Sequence, residues 1–368
     1  MVAPARYVQG PGALRDIGPE IARIGRKALV IGGARALETT RATIAENARR
    51  AGGALEFATF GGEATLPEIG RLEAAARASA CDLVVGVGGG KALDSAKAVA
   101  DRCGLPVAVA PTIAATDAPC SALYDTYSED GVFETSHELP RNPVLVLVDT
   151  EVIARAPARF LVAGMGDALS TKFEAEACAR SGAANIAGGR STLGALQLAR
   201  RCYDTVIADG FSARLACERG VATEALERVV EANILLSGIG FESSGLAASH
   251  AMHDGFTVLP EARSMYHGER VAFSVLVQLV MEDRSAAEIG EVLRFSASVG
   301  LPVTLAQIGI LDASQEHLMP AAEFAARPGE IMHNMPFPVD ADRVYRAIVG
   351  ADAIGQAYLL STGAQRST

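Results

Sequence analysis

The chain has 368 residues, of which 49% are hydrophobic and 21% charged, with a formal net charge of −10. That length exceeds one ordinary hydrophobic core, so two domains are expected, and no charge-free apolar run of about 18 residues offers a membrane span. The acidic balance and the lack of a concentrated basic run oppose nucleic-acid binding, and the absence of Trp removes the usual base-stacking platforms. The opening MVAPARYVQGPG has no apolar run ending in a small-residue cleavage site, which makes the cytoplasm the expected location. Six scattered cysteines (Cys81, Cys103, Cys120, Cys178, Cys202 and Cys217) form no CxxC pair. They predict buried packing residues, not a disulfide framework or a thiolate metal cage.

Taken in order, Lys27–Gly33 and Asp82–Gly90 are apolar runs that end in glycine, as strands covered on both faces do. Between them, Thr40–Gly52 and Leu66–Ala80 carry Ala, Arg and Glu at helical spacing. The runs Pro106–Ala110 and Pro143–Asp149 continue the alternation, and the polar stretch Tyr124–Asn142 predicts a hairpin or an exposed loop. After Thr150 the β-branched runs give way to long Ala-, Leu- and Glu-rich stretches. Gly210, Gly255, Gly300-Leu-Pro302 and Pro336-Phe-Pro338 punctuate these at helix lengths, and Thr362–Thr368 reads as a frayed tail. The expected fold class is an α/β N-terminal domain with a parallel Rossmann-like sheet, residues 1–157, followed by an all-α domain, residues 158–368.

Three places carry chemistry. In Gly86-Val-Gly-Gly-Gly-Lys-Ala-Leu-Asp-Ser-Ala-Lys97, the glycines Gly88, Gly89 and Gly90 let the backbone approach a ligand, and the helix behind them offers N–H donors to a pyrophosphate. This is neither GxGxxG after the first strand nor GxxxxGK[ST]. Asp94 and Lys97 suit ribose hydroxyls; the plainer reading of each is a solvated helix charge or an i,i+3 pair. Next, Pro111–Leu123 leaves a strand on the same carboxyl edge, bringing the hydroxyls of Thr112 and Thr116 and the acid of Asp117, which fits a turn cap or a contact to a substrate hydroxyl. Finally, His250, His253 and His267 fall within eighteen residues, and Gly164-Met-Gly-Asp167 supplies a carboxylate. Asp with two His makes a mixed O and N set suited to catalytic Zn²⁺ or Fe²⁺; spacing alone does not choose among the three histidines.

The motifs GGGKALDSAK, PTIAATDAPCSAL, GMGDALSTKFEA, GLAASHAMH and YHGERVAF, in that order, resemble the glycerol dehydrogenases of the iron-containing (type III) alcohol dehydrogenase superfamily over nearly the whole chain. The resemblance implies the architecture shared with dehydroquinate synthase, and a metal, Zn²⁺ with Fe²⁺ as the alternative, held by Asp167, His250 and His267. It implies that Gly90 through Asp94 (with Lys91, Ala92 and Leu93), Thr112 through Ala115 (with Ile113 and Ala114), Ser121, Leu123 and Tyr127 line the NAD site, to which the reading of the residues adds Gly88, Gly89, Lys97 and the strand end at Gly33, and that Asp117 contacts the polyol. Homo-oligomers from dimer to octamer are expected of such relatives.

Gly33 stands where the family usually has an acidic residue that meets the adenosine ribose, so NADP is not excluded. Ala115 replaces a common serine, and Tyr124-Asp-Thr126 replaces a small apolar stretch. The implied reaction is NAD-dependent oxidation of glycerol, or of a related vicinal diol, to dihydroxyacetone by metal-assisted hydride transfer, with the proton leaving through Asp117, His253 or water. The alternatives are another type III polyol dehydrogenase, a dehydroquinate synthase-like lyase, or a non-catalytic nucleotide-binding relative. A neutral-to-acidic loop at Asp117 disfavours phosphorylated substrates, and a complete Asp, His, His set disfavours a non-catalytic role.

Overall fold

The fold is that of a computed structural model in which residues 1–363 are described. The chain divides into two compact units, Val2–Leu161 with Leu215–Gly238, and Val162–Arg214 with Ile239–Thr368 (together with Met1). Residues 215–238, placed by the sequence reading in the all-helical domain, thus cluster with the sheet-bearing unit, and a single cut after residue 157 does not reproduce this division. Helix α8 (Glu224–Glu231) shows how the segment is tied in, because Gln9 donates to the Glu227 carbonyl at 2.9 Å and Thr150 Oγ1 donates to the Glu227 carboxylate.

The first unit alternates β1 (Tyr7–Gly10), α1 (Ile17–Ala22), β2 (Lys27–Gly33), α2 (Ala34–Arg50), β3 (Ala54–Phe60), α3 (Leu66–Ser79), β4 (Leu83–Gly88), α4 (Gly90–Cys103) and β5 (Val107–Pro111). An antiparallel hairpin, β6 (Leu123–Tyr127) and β7 (Phe133–Glu138), follows, then β8 (Leu145–Asp149) and α5 (Thr150–Ala154). The hairpin is the structure expected of the polar stretch 124–142. Six strands pair in parallel in the order β1-β8-β5-β4-β2-β3. The four inner strands are the four apolar runs, and β4, β5 and β8 are buried at every position. The two edges, β1 and β3, were not foreseen: β1 is only partly buried and β3 is exposed or part-buried up to Phe60, so neither reads as a covered strand. Asp149, at the end of β8, accepts from Glu151 N and caps α5 while also taking the Gly12 and Leu14 N–H groups at 3.0 Å, which pins the chain entry onto the sheet.

The second unit is helical: α6 (Ala158–Ser181) from Val162 onward, α7 (Leu193–Glu218) up to Arg214, α9 (Ser237–Ser244) from Ile239, then α10 (Ala248–Phe256), α11 (His267–Met281), α12 (Ala286–Val299), α13 (Gln315–Ala325) and α14 (Ala341–Thr362). Gly300, at φ +85°, ends α12 as expected of a left-handed C-cap. Gly210 and Gly255 do not break helices. Gly210 lies inside α7, where an added Cβ would come within 2.7 Å of the Phe295 ring, and Gly255 lies inside α10, where it would come within 2.5 Å of the Ala321 carbonyl. Both are crossing points, where a missing side chain lets a neighbour in. Helix α14 runs through Thr362, the first residue of the expected tail, and residues 364–368 of that tail lie outside the described residues.

No helix among the described residues is long and apolar enough to cross a membrane. None of the six cysteines forms a disulfide, and all but Cys103 are buried. Cys178 Sγ sits 3.2 Å from the Leu246 carbonyl and Cys217 Sγ 3.5 Å from that of Ala156; burial pushes these thiols up to about 12 and about 11.

Candidate functional site

In the first unit the glycine turn joins β4 to α4. Gly88 has a φ of +143°, and at the start of α4 the Ala92 and Leu93 N–H groups turn back onto the Gly89 carbonyl at 3.0 and 3.1 Å, so only the Gly90 and Lys91 N–H groups are left to face a ligand. Thr112 N donates to the Gly88 carbonyl at 3.0 Å, which lays the loop after β5 over the turn. Side chains on the glycines would collide with that loop: a Cβ at Gly89 would sit 2.8 Å from Ile113 and one at Gly90 3.2 Å from the Thr116 methyl. Gly33, beside the turn at the end of β2, is different, because a Cβ there would meet nothing within 4 Å. Lys91, in the first turn of α4, pairs with Glu63 and lies 4.6 Å over the Tyr127 ring.

Asp94 and Lys97 form the i,i+3 pair that was one of their two readings, at 3.4 Å, and both are buried. The Lys97 ammonium also donates to the Ala118 carbonyl, to Ser121 Oγ at 3.2 Å and to the Leu123 carbonyl at 2.8 Å. It therefore braces the loop 118–123 from beneath, and Ser121 and Leu123 meet it there. Burial pushes the Asp94 carboxyl up to about 7 against the pull of Lys97, and the Asp125 N–H donates to it. Asp117 Oδ2 accepts from Ser237 Oγ at 2.6 Å. Asn233, in a π-helical turn over Ala232–Leu236, donates to the carbonyls of Ala114 and Leu161 at 3.0 and 3.1 Å. Ser237 and Asn233 went unseen in the sequence because they come from the returning segment, more than a hundred residues from the loop they hold.

In the second unit Asp167, His250 and His267 come together from α6, α10 and the first residue of α11. Their ligand atoms all lie within 4.8 Å of one another, with Asp167 Oδ1 at 3.3 Å from Nε2 of each histidine. Glycines set this approach. A Cβ on Gly166 would fall 2.2 Å from the Gly268 carbonyl, and one on Gly268 1.8 Å from that of Ala163, so α6 and α11 touch backbone to backbone one residue from each ligand. Burial alone would raise the Asp167 carboxyl, but His267 and His250 hold it well below the usual carboxylate range. Burial likewise works to lower His250, yet the carboxylates of Glu174 and Asp167 raise it. The second unit thus gathers one carboxylate oxygen and two imidazole nitrogens, a donor set that fits a divalent cation with positions left for substrate oxygen.

His253 is packed at the edge of this group, its ring centroid 4.2 Å from that of His267. Nδ1 lies 3.0 Å from Asp254 Oδ1 and Nε2 3.1 Å from the Arg270 guanidinium. Burial, then the neighbouring His267 and Arg270, hold it neutral by lowering its basicity. Accepting a proton at Nε2 would bring two positive groups into contact. Glu174, two turns beyond Asp167 on α6, was not foreseen; its only sequence signal is the i,i+7 spacing within GMGDALSTKFEA.

Residues 4–150 match the model of the family described as iron-containing alcohol dehydrogenase. The chain is 50% identical to a glycerol dehydrogenase of Pseudomonas putida over 97% of this chain and 98% of the other. It is 47% identical to a glycerol dehydrogenase of Thermotoga maritima over 96% and 97% of the two chains. Among solved structures, the glycerol dehydrogenase of Schizosaccharomyces pombe superposes with a TM-score of 0.95 at 38% identity, covering 99% of this chain and 92% of that one.

Proposed function

The chain belongs to the iron-containing alcohol dehydrogenase family and groups within it with the glycerol dehydrogenases, and on that premise we propose that it oxidises the secondary hydroxyl of glycerol, or of a related vicinal diol, with NAD as hydride acceptor. The observation that carries this reading is the intact donor set of Asp167, His250 and His267 in a chain about half identical to such enzymes along nearly its whole length. Zn²⁺ is the proposed ion and Fe²⁺ the alternative. When bound, the cation supplies Lewis acidity toward a substrate hydroxyl and the nicotinamide ring supplies the hydride acceptor.

The residues divide the remaining work. Gly88, Gly89 and Gly90 with the start of α4 receive the pyrophosphate, and Lys91 and Tyr127 flank it. Lys97, with Asp94, holds the loop 118–123 in shape through Ala118, Ser121 and Leu123, and Thr112–Ala115, held at Ala114 by Asn233, lines the nucleotide. Asp117 receives a polyol hydroxyl, with Ser237 fixing one of its oxygens. The released proton passes to water or Asp117, since His253 has both ring nitrogens occupied. The open space at Gly33 leaves NADP acceptable as a second nucleotide. A cytoplasmic homo-oligomer, dimer to octamer, completes the proposal.

The test is NAD(P)H absorbance over a panel of glycerol, propanediols, butanediol and their phosphates, using protein stripped of metal by a chelator and protein reloaded with Zn²⁺. Turnover of glycerol is expected to vanish on stripping and to return with Zn²⁺, with the phosphates unused. Full turnover by protein shown to be metal-free would overturn the reading.

A further inference from the structure

Glu174 is fully buried on α6, and burying a carboxylate costs several kcal/mol unless its oxygens are well bonded. Its two oxygens do different things. Oε1 accepts the backbone N–H groups of Ala247 and His250, at 2.8 and 2.9 Å, at the start of α10. Oε2 is turned to the imidazole of His250, 2.6 Å from Nδ1. The other nitrogen of that ring, Nε2, faces Asp167 Oδ1 at 3.3 Å. One helix, α6, therefore carries both a candidate ligand and, two turns along, the group that touches the back of a second ligand.

Resting on the metal reading above, we infer that Glu174 is the positioning residue of the metal centre: it keeps the His250 proton on Nδ1, so that the Nε2 lone pair is presented to the cation. The chemistry follows from donor and acceptor count. An ionised carboxylate only accepts, so the ring nitrogen beside it must carry hydrogen, and in a neutral ring the opposite nitrogen is then the ligand. A carboxylate behind a ligating imidazole also makes it more basic. Glu174 performs this while capping α10, so the ring's orientation and the helix that carries it are set by one side chain.

Glu174→Gln separates the two roles. Its amide oxygen can still accept the N–H groups of Ala247 and His250, but the amide NH₂ then faces Nδ1 and draws the ring proton to Nε2, the ligating atom. The opposite amide orientation sets the NH₂ against two backbone N–H groups. Zn²⁺ dissociation constants of the folded protein, measured by competition with a chromophoric chelator, are expected to weaken about 10–100-fold in E174Q, whether or not the apoprotein's melting temperature also falls. A lowered melting temperature with an unchanged Zn²⁺ dissociation constant makes Glu174 a cap alone and overturns the inference. Failure of the parent protein itself to bind Zn²⁺ overturns the metal reading on which it rests. Should E174Q not fold, the ¹⁵N histidine spectrum of the zinc-loaded parent decides: His250 protonated at Nδ1 is expected, and protonation at Nε2 overturns the inference.

Discussion

Each unit prepares its candidate site by a different use of glycine. In the α/β unit the turn glycines Gly88–Gly90 let their own loop close over the backbone, while Gly33 beside them borders open space. In the helical unit, glycine lets protein fill the room: Gly166 and Gly268 press α6 onto α11 so closely that no side chain fits between them. The first arrangement offers backbone N–H groups to a ligand. The second brings side chains from distant stretches of sequence to one point. A nucleotide's phosphates can be received by main chain alone, whereas a cation needs charged or lone-pair-bearing side chains held within a few ångströms.

The comparison is broken most directly by adding one methyl group to each kind of glycine. Gly268→Ala drives a Cβ into the Ala163 carbonyl and is expected to destabilise the fold by about 3 kcal/mol or more and to weaken Zn²⁺ binding; Gly33→Ala should leave denaturant unfolding near the parent value. Equal midpoints for the two variants would remove the distinction.

A smaller effect tests how each unit handles buried charge. In the helical unit Asp167 is pulled down by two imidazoles, whereas Asp94 in the α/β unit is pushed up to about 7 by burial, with Lys97 opposing. Because the folded chain holds the Asp94 proton more tightly than the unfolded chain does, the stability it contributes is complete below about pH 4 and is lost as pH rises through 7. Asp94→Asn should flatten that part of the apoprotein's stability profile. A profile that keeps the parent's slope would show that Asp94 is ionised throughout.

The smallest expected effect sharpens the reading of the open glycine. Gly33→Asp places a carboxylate where the backbone leaves space, opposing a 2′-phosphate and accepting from a 2′-hydroxyl. The ratio of kcat/KM for NAD over NADP is expected to rise about tenfold, equivalent to about 1.4 kcal/mol. An unchanged ratio would place the nucleotide's 2′ end away from residue 33.

How much of this was legible in the sequence depended on how local the cause was. The inner strands were read correctly because burial on both faces makes them apolar throughout; β1 and β3, partly exposed edges, carry no such mark. Gly210 and Gly255 were misread as helix breakers because a glycine that ends a helix and one that admits a neighbour look alike in one dimension. The grouping of Asp167, His250 and His267 was legible by resemblance, and the helical unit does bring them together. The bracing of the loop after β5, at Ala114 and Asp117, by Asn233 and Ser237 was not legible, since it depends on residues 215–238 returning to the first unit. Glu174 escaped for a related reason: a lone carboxylate in a helical run reads as a solvated face until the helix that covers it is known.

The cysteines carry a consequence for how the protein ages. A thiol held up to about 12 or about 11 and shielded by packing has almost no thiolate at neutral pH, and thiolate is the form that oxidants and alkylating agents attack. Cys178 and Cys217 should therefore be modified only in molecules that have opened, at a rate that scales with the opened fraction. Their accumulated modification in a stored sample therefore reports how often molecules have opened, kept separately from any loss of activity.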